Sequence, residues 1–157
     1  MADAVEKLAA IADTKDNDSI QTFKVPLVYV KGKTILTLNS SNRMQFGQRM
    51  SIKNKYKKII EPTIKKLNRF GSGHIHLILQ LVFCDRRQRD KDNQVYTLKW
   101  VQDSLVDLGK MDDDKFISFS FLPSINEPAN DEHYCEITAI DLCSSNYFNK
   151  IKGNKNG

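Results

Sequence analysis

The chain has 157 residues, 40% of them hydrophobic and 27% charged, enough for one domain with a core of its own. No stretch approaches the ~18 apolar residues of a membrane helix, and residues 1–20 lack the basic start and apolar run of a secretory signal. The three cysteines, Cys84, Cys135 and Cys143, are odd in number and form no C-x-x-C pair, which argues against a disulfide framework or a zinc site and for reduced thiols in a cytoplasmic protein.

The net charge of +5 is unevenly spread: residues 1–20 carry five acids against two lysines, so the remainder sums to +8. Between Arg43 and Arg69 stand nine Lys or Arg residues and one acid, Glu61. Such a block attracts polyanions, because each neutralised phosphate releases condensed counterions, although a solvated helix face has the same composition.

In chain order, residues 1–20 read as an acidic, poorly ordered tail or a short peripheral helix. Phe23 to Val30 alternates apolar residues, and Lys31-Gly32-Lys33 turns the chain into a second strand from Thr34 to Leu38. Asn39 to Arg43 is a polar loop of capping residues. Ser51 is positioned to cap a helix over 52–67, with Pro62 kinking it or ending it early. Gly71-Ser72-Gly73 breaks the chain and lacks any nucleotide-binding pattern, so no small-molecule cofactor is expected. His74 to Cys84 is the clearest strand. Ile75, Leu77, Leu79, Leu81 and Phe83 line one face while Ile78 and Val82 occupy the other, as in a central strand covered on both sides. Val95, Leu98, Val101, Leu105 and Leu108 mark a helix over 93–108, with Asp92 as N-cap and Gly109 just past its end. Strands follow at Phe116 to Phe121 and Tyr134 to Asp141 around a Pro- and Asn-containing loop, and 149–157 is a basic tail. The fold expected is α+β, a mixed sheet packed with two main helices in one domain over 21–148.

The chemistry concentrates in Asp85-Arg86-Arg87-Gln88-Arg89-Asp90-Lys91-Asp92-Asn93, which leaves a buried strand and opens a helix. Phosphodiester cleavage needs several hard oxygen ligands around a divalent cation, and a D-x-D pair at a strand end presents two. A second cluster, Asp112-Asp113-Asp114, precedes the strand at Phe116, and an acid there could complete the site. Taken singly, each group is better explained by capping or a solvated turn; the flanking Arg86, Arg87 and Arg89 shift the reading toward the nuclease combination of backbone-holding cations and metal-holding acids. On the helix, Asp92, Tyr96, Lys99 and Asp103 fall within about 60° of one another. His74 and His76 sit two apart on one strand face, but with only His133 besides, buried or edge histidines are the better reading. Phe46, Tyr56 and Phe70, interleaved with cations, are candidates for stacking on unpaired bases, but ordinary core packing is the better reading for at least two of them.

These residues resemble the RusA family of Holliday-junction resolvases, small dimeric enzymes common in phages and prophages. The family pattern is an Arg-rich stretch, D-x-D-N opening a helix, a helical lysine, a following aspartate and an acidic pair before a strand. Residues 84–117 match it, and a looser likeness extends back to about residue 35, where Asn39 to Arg43 resembles the family's polar loop without its prolines. The resemblance implies metal binding and catalysis by Asp90, Asp92 and Asp114, with Asp113 or Asp112 as alternatives for the third, and Lys99 as supporting cation. Asn93, Tyr96 and Asp103 would be secondary, and Asn42, Arg43, Lys53, Lys57, Arg86, Arg87 and Arg89 would contact DNA. It implies a homodimer that resolves four-way junctions with Mg²⁺, or Mn²⁺, by paired symmetric nicks. One departure is about three extra helical residues between Asp92 and Lys99, a rotation of about −60°, which puts Tyr96 at the family's lysine spacing. The alternatives are a flap- or branch-specific nuclease on the same scaffold and a non-catalytic protein that binds branched DNA.

Overall fold

A computed structural model describes residues 20–32, 34–70, 73–87, 89, 95–113 and 117–142, the side chain of Val95 excepted. The acidic and basic tails expected at the two ends lie almost entirely outside these residues. In chain order the elements are β1 (Ile20–Pro26), β2 (Tyr29–Lys31), β3 (Thr34–Ile35), α1 (Leu38–Asn42), α2 (Phe46–Lys65), β4 (Ile75–Phe83), α3 (Val95–Asp107), β5 (Ile117–Phe121), β6 (Ile125–Asn126) and β7 (Tyr134–Asp141). This is the expected single-domain α+β fold. No helix among the described residues is long and apolar enough to cross a membrane.

The main sheet runs β1-β7-β4-β5, with β6 also beside β4. β4 is central because both its faces are apolar. Ile75, Leu77, Leu79, Leu81 and Phe83 are at most 2% exposed, and Ile78 and Val82 on the opposite face are also buried. β7 pairs antiparallel with one edge of β4 and with β1, whereas β5 and β6 pair parallel along the other edge. Parallel neighbours cannot be joined by a tight turn, so α3 serves as the crossover between β4 and β5.

Both long helices pack on the odd-numbered face of β4, α2 through Tyr56, Ile60 and Ile64 and α3 through Leu98, Val101 and Leu105. Lys53 pairs with Asp103 at 3.0 Å and Lys57 with Asp107, while Lys110 Nζ reaches the Lys65 carbonyl at 3.1 Å. Successive contacts in this order mean that the two helices run in the same direction. α3 ends in a Schellman arrangement: Gly109 takes φ 69°, its N–H bonds the Val106 carbonyl, and the Lys110 N–H bonds the Leu105 carbonyl.

Three local expectations are corrected. The segment from Phe23 to Val30 is not one strand, because the chain leaves the main sheet after Pro26, where buried Leu27 and Val28 carry it into a separate two-stranded sheet of β2 and β3. Asn39 to Asn42 is not loop but lies in α1, capped reciprocally by Thr37 and Ser40. The long helix starts at Phe46 rather than after Ser51, and it continues through Pro62 to Lys65. Burial at Tyr56, Ile60 and Ile64, four residues apart, outweighs one hydrogen bond lost at proline.

The Tyr56 hydroxyl donates to the Pro26 carbonyl at 2.7 Å and ties α2 to the end of β1. Tyr56→Phe should cost about 1–3 kcal/mol by orphaning that carbonyl, and Ile137→Ala about 2–5 kcal/mol by opening a core cavity. Urea denaturation measures both, and a reversed order would contradict this packing.

Candidate functional site at the carboxyl end of the central strand

The segment leaving β4 is held from several sides. Buried His133 accepts the Cys84 N–H through Nδ1 at 3.0 Å and sets its ring edge against Phe83 at 5.7 Å. His133 is itself held by Tyr29, whose hydroxyl bonds both its carbonyl and its N–H. Asp85 receives both terminal nitrogens of Arg89 at 2.6 Å and the Arg87 N–H at 3.1 Å. The Arg89 guanidinium also lies 4.8 Å over the Phe83 ring. From β6, Asn126 donates to the carbonyls of Asp85 at 2.7 Å and Arg87 at 3.3 Å. The hydrogen bonds from Arg89 hold the Asp85 carboxyl well below the usual carboxylate range, against a smaller opposing effect of burial. Thr34, Ile35 and Thr37 close the other side of a cleft shared with Cys84, Asp85, Arg87, Arg89 and His133.

This geometry divides the arginines expected to contact DNA. Arg89 is mostly buried and bound to Asp85, so it braces the turn. Arg86 and Arg87 are exposed, Arg87 at the cleft. A similar division holds on the helices. Lys53 and Lys57, also expected at phosphates, are ion-paired with Asp103 and Asp107 across the α2–α3 interface. Asn42, Arg43 and Lys99 are exposed. Tyr96 turns toward α1, accepting a hydrogen bond from buried Ser41 at 2.8 Å and packing 5.3 Å from Trp100. The helical stripe of Tyr96, Lys99 and Asp103 therefore serves the contacts with α1 and α2 at two of its three positions.

Asp90, Asp92, Asn93 and Asp114 lie outside the described residues. Their described flanks are informative. Arg89 sits at the carboxyl end of β4 and Tyr96 at the start of α3, whereas Asp113 follows the other end of α3. Ile117 pairs with Ile75 at the amino end of β4. Eight strand steps separate Ile75 from Phe83, about 26 Å, and α3 itself is about 20 Å long. In a parallel pair the exit of one strand and the start of the next stand at opposite ends. Among the described residues, Arg89 and Ile117 therefore stand at opposite ends of β4. Asp112 is exposed and bound to Arg69, which also reaches the Gly109 carbonyl at 2.6 Å, and Asp113 is half-buried.

Among the described residues no three His, Cys, Asp or Glu side chains converge on a metal position. The ring nitrogens of His76 are occupied by the Ser118 and Ser120 hydroxyls at 2.7 and 3.0 Å, and burial pushes its pKa down, so it stays neutral at pH 7. Burial also pushes the Cys135 thiol up to about 12. Of the three aromatics with cationic neighbours, Tyr56 and Phe70 are core residues while Phe46 is 70% exposed. The roles of Asp85, His133 and Asn126 were not anticipated. Only the four-residue spacing of Asp85 and Arg89 hinted at their pairing. No protein-family model matches the chain, and no curated protein sequence matches it.

Because the folded pKa of Asp85 is depressed, its contribution to stability is present above the unfolded carboxylate value near 3.9 and is lost as pH falls through the folded value. Asp85→Asn should therefore be less stable than the parent by a constant margin above about pH 5, and the margin should shrink below about pH 4. Denaturation midpoints across pH 3–8 test this; a margin that grows on acidification would refute the assignment.

Proposed function

We propose that the chain is a Mg²⁺-dependent endodeoxyribonuclease that resolves four-way DNA junctions as a homodimer. The observation that carries this reading is the rigid arginine turn at the carboxyl end of β4: it presents Arg86 and Arg87 to solvent and leads directly into the D-x-D-N sequence at 90–93. Ligand sites in sheets with parallel strands favour strand carboxyl ends. The likeness to the RusA family supports the same assignment.

Asp90 and Asp92 supply hard carboxylate oxygens of the kind Mg²⁺ or Mn²⁺ prefers. The bound ion would supply Lewis acidity for activating water and stabilising the attacking and leaving oxygens. Arg86 and Arg87 hold the backbone phosphates, and exposed Lys99 adds positive charge near the start of α3. Because β4 and β5 are parallel, the described flanks Arg89 and Ile117 stand at opposite ends of β4, which supports a site that unites Asp90 and Asp92 of one chain with Asp114 of a second copy. Two such composite sites in a two-fold dimer suit symmetric nicking of opposed strands.

Asp90→Asn should abolish metal-dependent nicking of a synthetic four-way junction while leaving junction binding intact. Undiminished cleavage by this variant would refute the assignment, and binding without any cleavage by the parent protein would favour a non-catalytic junction binder. A flap cut in preference to a four-way junction would favour the alternative nuclease. Mixing Asp90→Asn with Asp114→Asn chains should restore nicking of one strand, because one heterodimer site then retains all three acids; a mixture as inactive as either parent would place the acids within one chain. Replacing Arg86 and Arg87 with alanine should flatten the salt dependence of junction binding by about two log units per log unit of salt, and an unchanged slope would remove them from the interface.

A further inference from the structure

We infer that Phe46 is the stacking element of this surface, packing against an unpaired base at the branch point. The inference rests on the branched-DNA reading above and gives it a source of selectivity for branches over duplex. Phe46 is 70% exposed, the most exposed large apolar side chain among the described residues, so its ring does nothing for the core. It is nonetheless rigidly carried. It opens the 20-residue helix α2, which Tyr56, Ile60 and Ile64 anchor in the core. Arg43 lies just before it, and Arg49 lies one turn further on the same side of the helix. Neither arginine has an ion-pair partner among the described residues, and no acid occurs anywhere from residue 36 to residue 60.

Tertiary structure brings this aromatic to the same end of the molecule as the arginine turn. α2 and α3 run in the same direction, Ser41 of the preceding α1 bonds Tyr96 at the start of α3, and Thr37 shares a cleft with Arg87 and Arg89. An exposed ring among cations suits nucleic acid, since every base offers a π-face and each phosphate a counter-charge. A second copy of the chain suits it poorly. A two-fold contact here would set Arg43 and Arg49 of one protomer against the same residues of the other, with nothing to neutralise them.

The test uses the full chain in EDTA, with a four-way junction carrying 2-aminopurine at the branch and a linear duplex carrying it internally. The parent protein should raise 2-aminopurine emission on the junction and not on the duplex. Phe46→Ala should lose that rise and about five- to hundredfold of the junction preference, while Phe46→Trp retains both. The side chain is exposed, so denaturation midpoints should stay unchanged. Retained emission and preference in Phe46→Ala would overturn the inference alone if the parent prefers and cuts junctions. A changed sedimentation mass in Phe46→Ala would overturn it in favour of a protein contact. A parent protein with no junction preference would overturn it together with the reading on which it rests.

Discussion

Parallel pairing of Ile75–Leu79 with Ile117–Phe121 is the constraint from which the arrangement of the molecule follows. It forces a crossover, the crossover is α3, and α3 must return along the sheet to bring the chain back to the amino end of β4. That return fixes the start of α3 at the strand exit and its end near the start of β5. It also sets α3 alongside α2, where the two helices together cover the odd face of β4. The separation of Arg89, at the strand exit, from Asp112 and Asp113, past the far end of α3, is a consequence of the same pairing.

A second theme is the division of positive charge. Lys53, Lys57, Arg69 and Arg89 are each engaged by a carboxylate, whereas Arg43, Arg86 and Arg87 are exposed without an ion pair among the described residues. The paired group holds helices and turns together; the exposed group is what a polyanion would meet. Arg89 illustrates why type alone is insufficient. Its guanidinium is planar and matches the two oxygens of Asp85, while its flat face rests on Phe83, so the protein itself satisfies the geometry that a phosphate would otherwise use. Such a brace defines the exit of the chain from β4 by hydrogen bonds at Cys84, Asp85, Arg87 and Arg89, with Asn126 and His133 as the outside supports.

Much of the architecture was legible from amino-acid order. The two-sided apolarity of His74 to Cys84 identified a central strand, because only burial on both faces tolerates it. The period of Leu98, Val101 and Leu105 identified α3, and Gly109 marked its end through a positive φ that other residues avoid. The alternation over Tyr134 to Asp141 identified β7 at its observed bounds. These are properties of one segment and its own side chains, and a segment carries them wherever it packs. Where local signals competed, the weaker one misled: Pro62 offered an early end, but burial of Ile60 and Ile64 on either side of it carried the helix on to Lys65.

What the amino-acid order determined, then, was the set of elements, the central place of β4, the excess of positive charge and the presence of a D-x-D-N sequence beside arginines. Tertiary structure alone decided which strands pair in parallel, and so which acids have flanks at a common end of the sheet. It decided that Arg89, Lys53 and Lys57 are internal partners, that Tyr56 and Phe70 are core while Phe46 is not, and that Asn126 holds a turn forty residues before it. The reason is physical. Periodicity and capping act over a few residues and leave a trace in order. Strand direction, ion pairing and exposure are instead settled by contacts between segments far apart in the chain, where several partners are chemically equivalent until the core selects one.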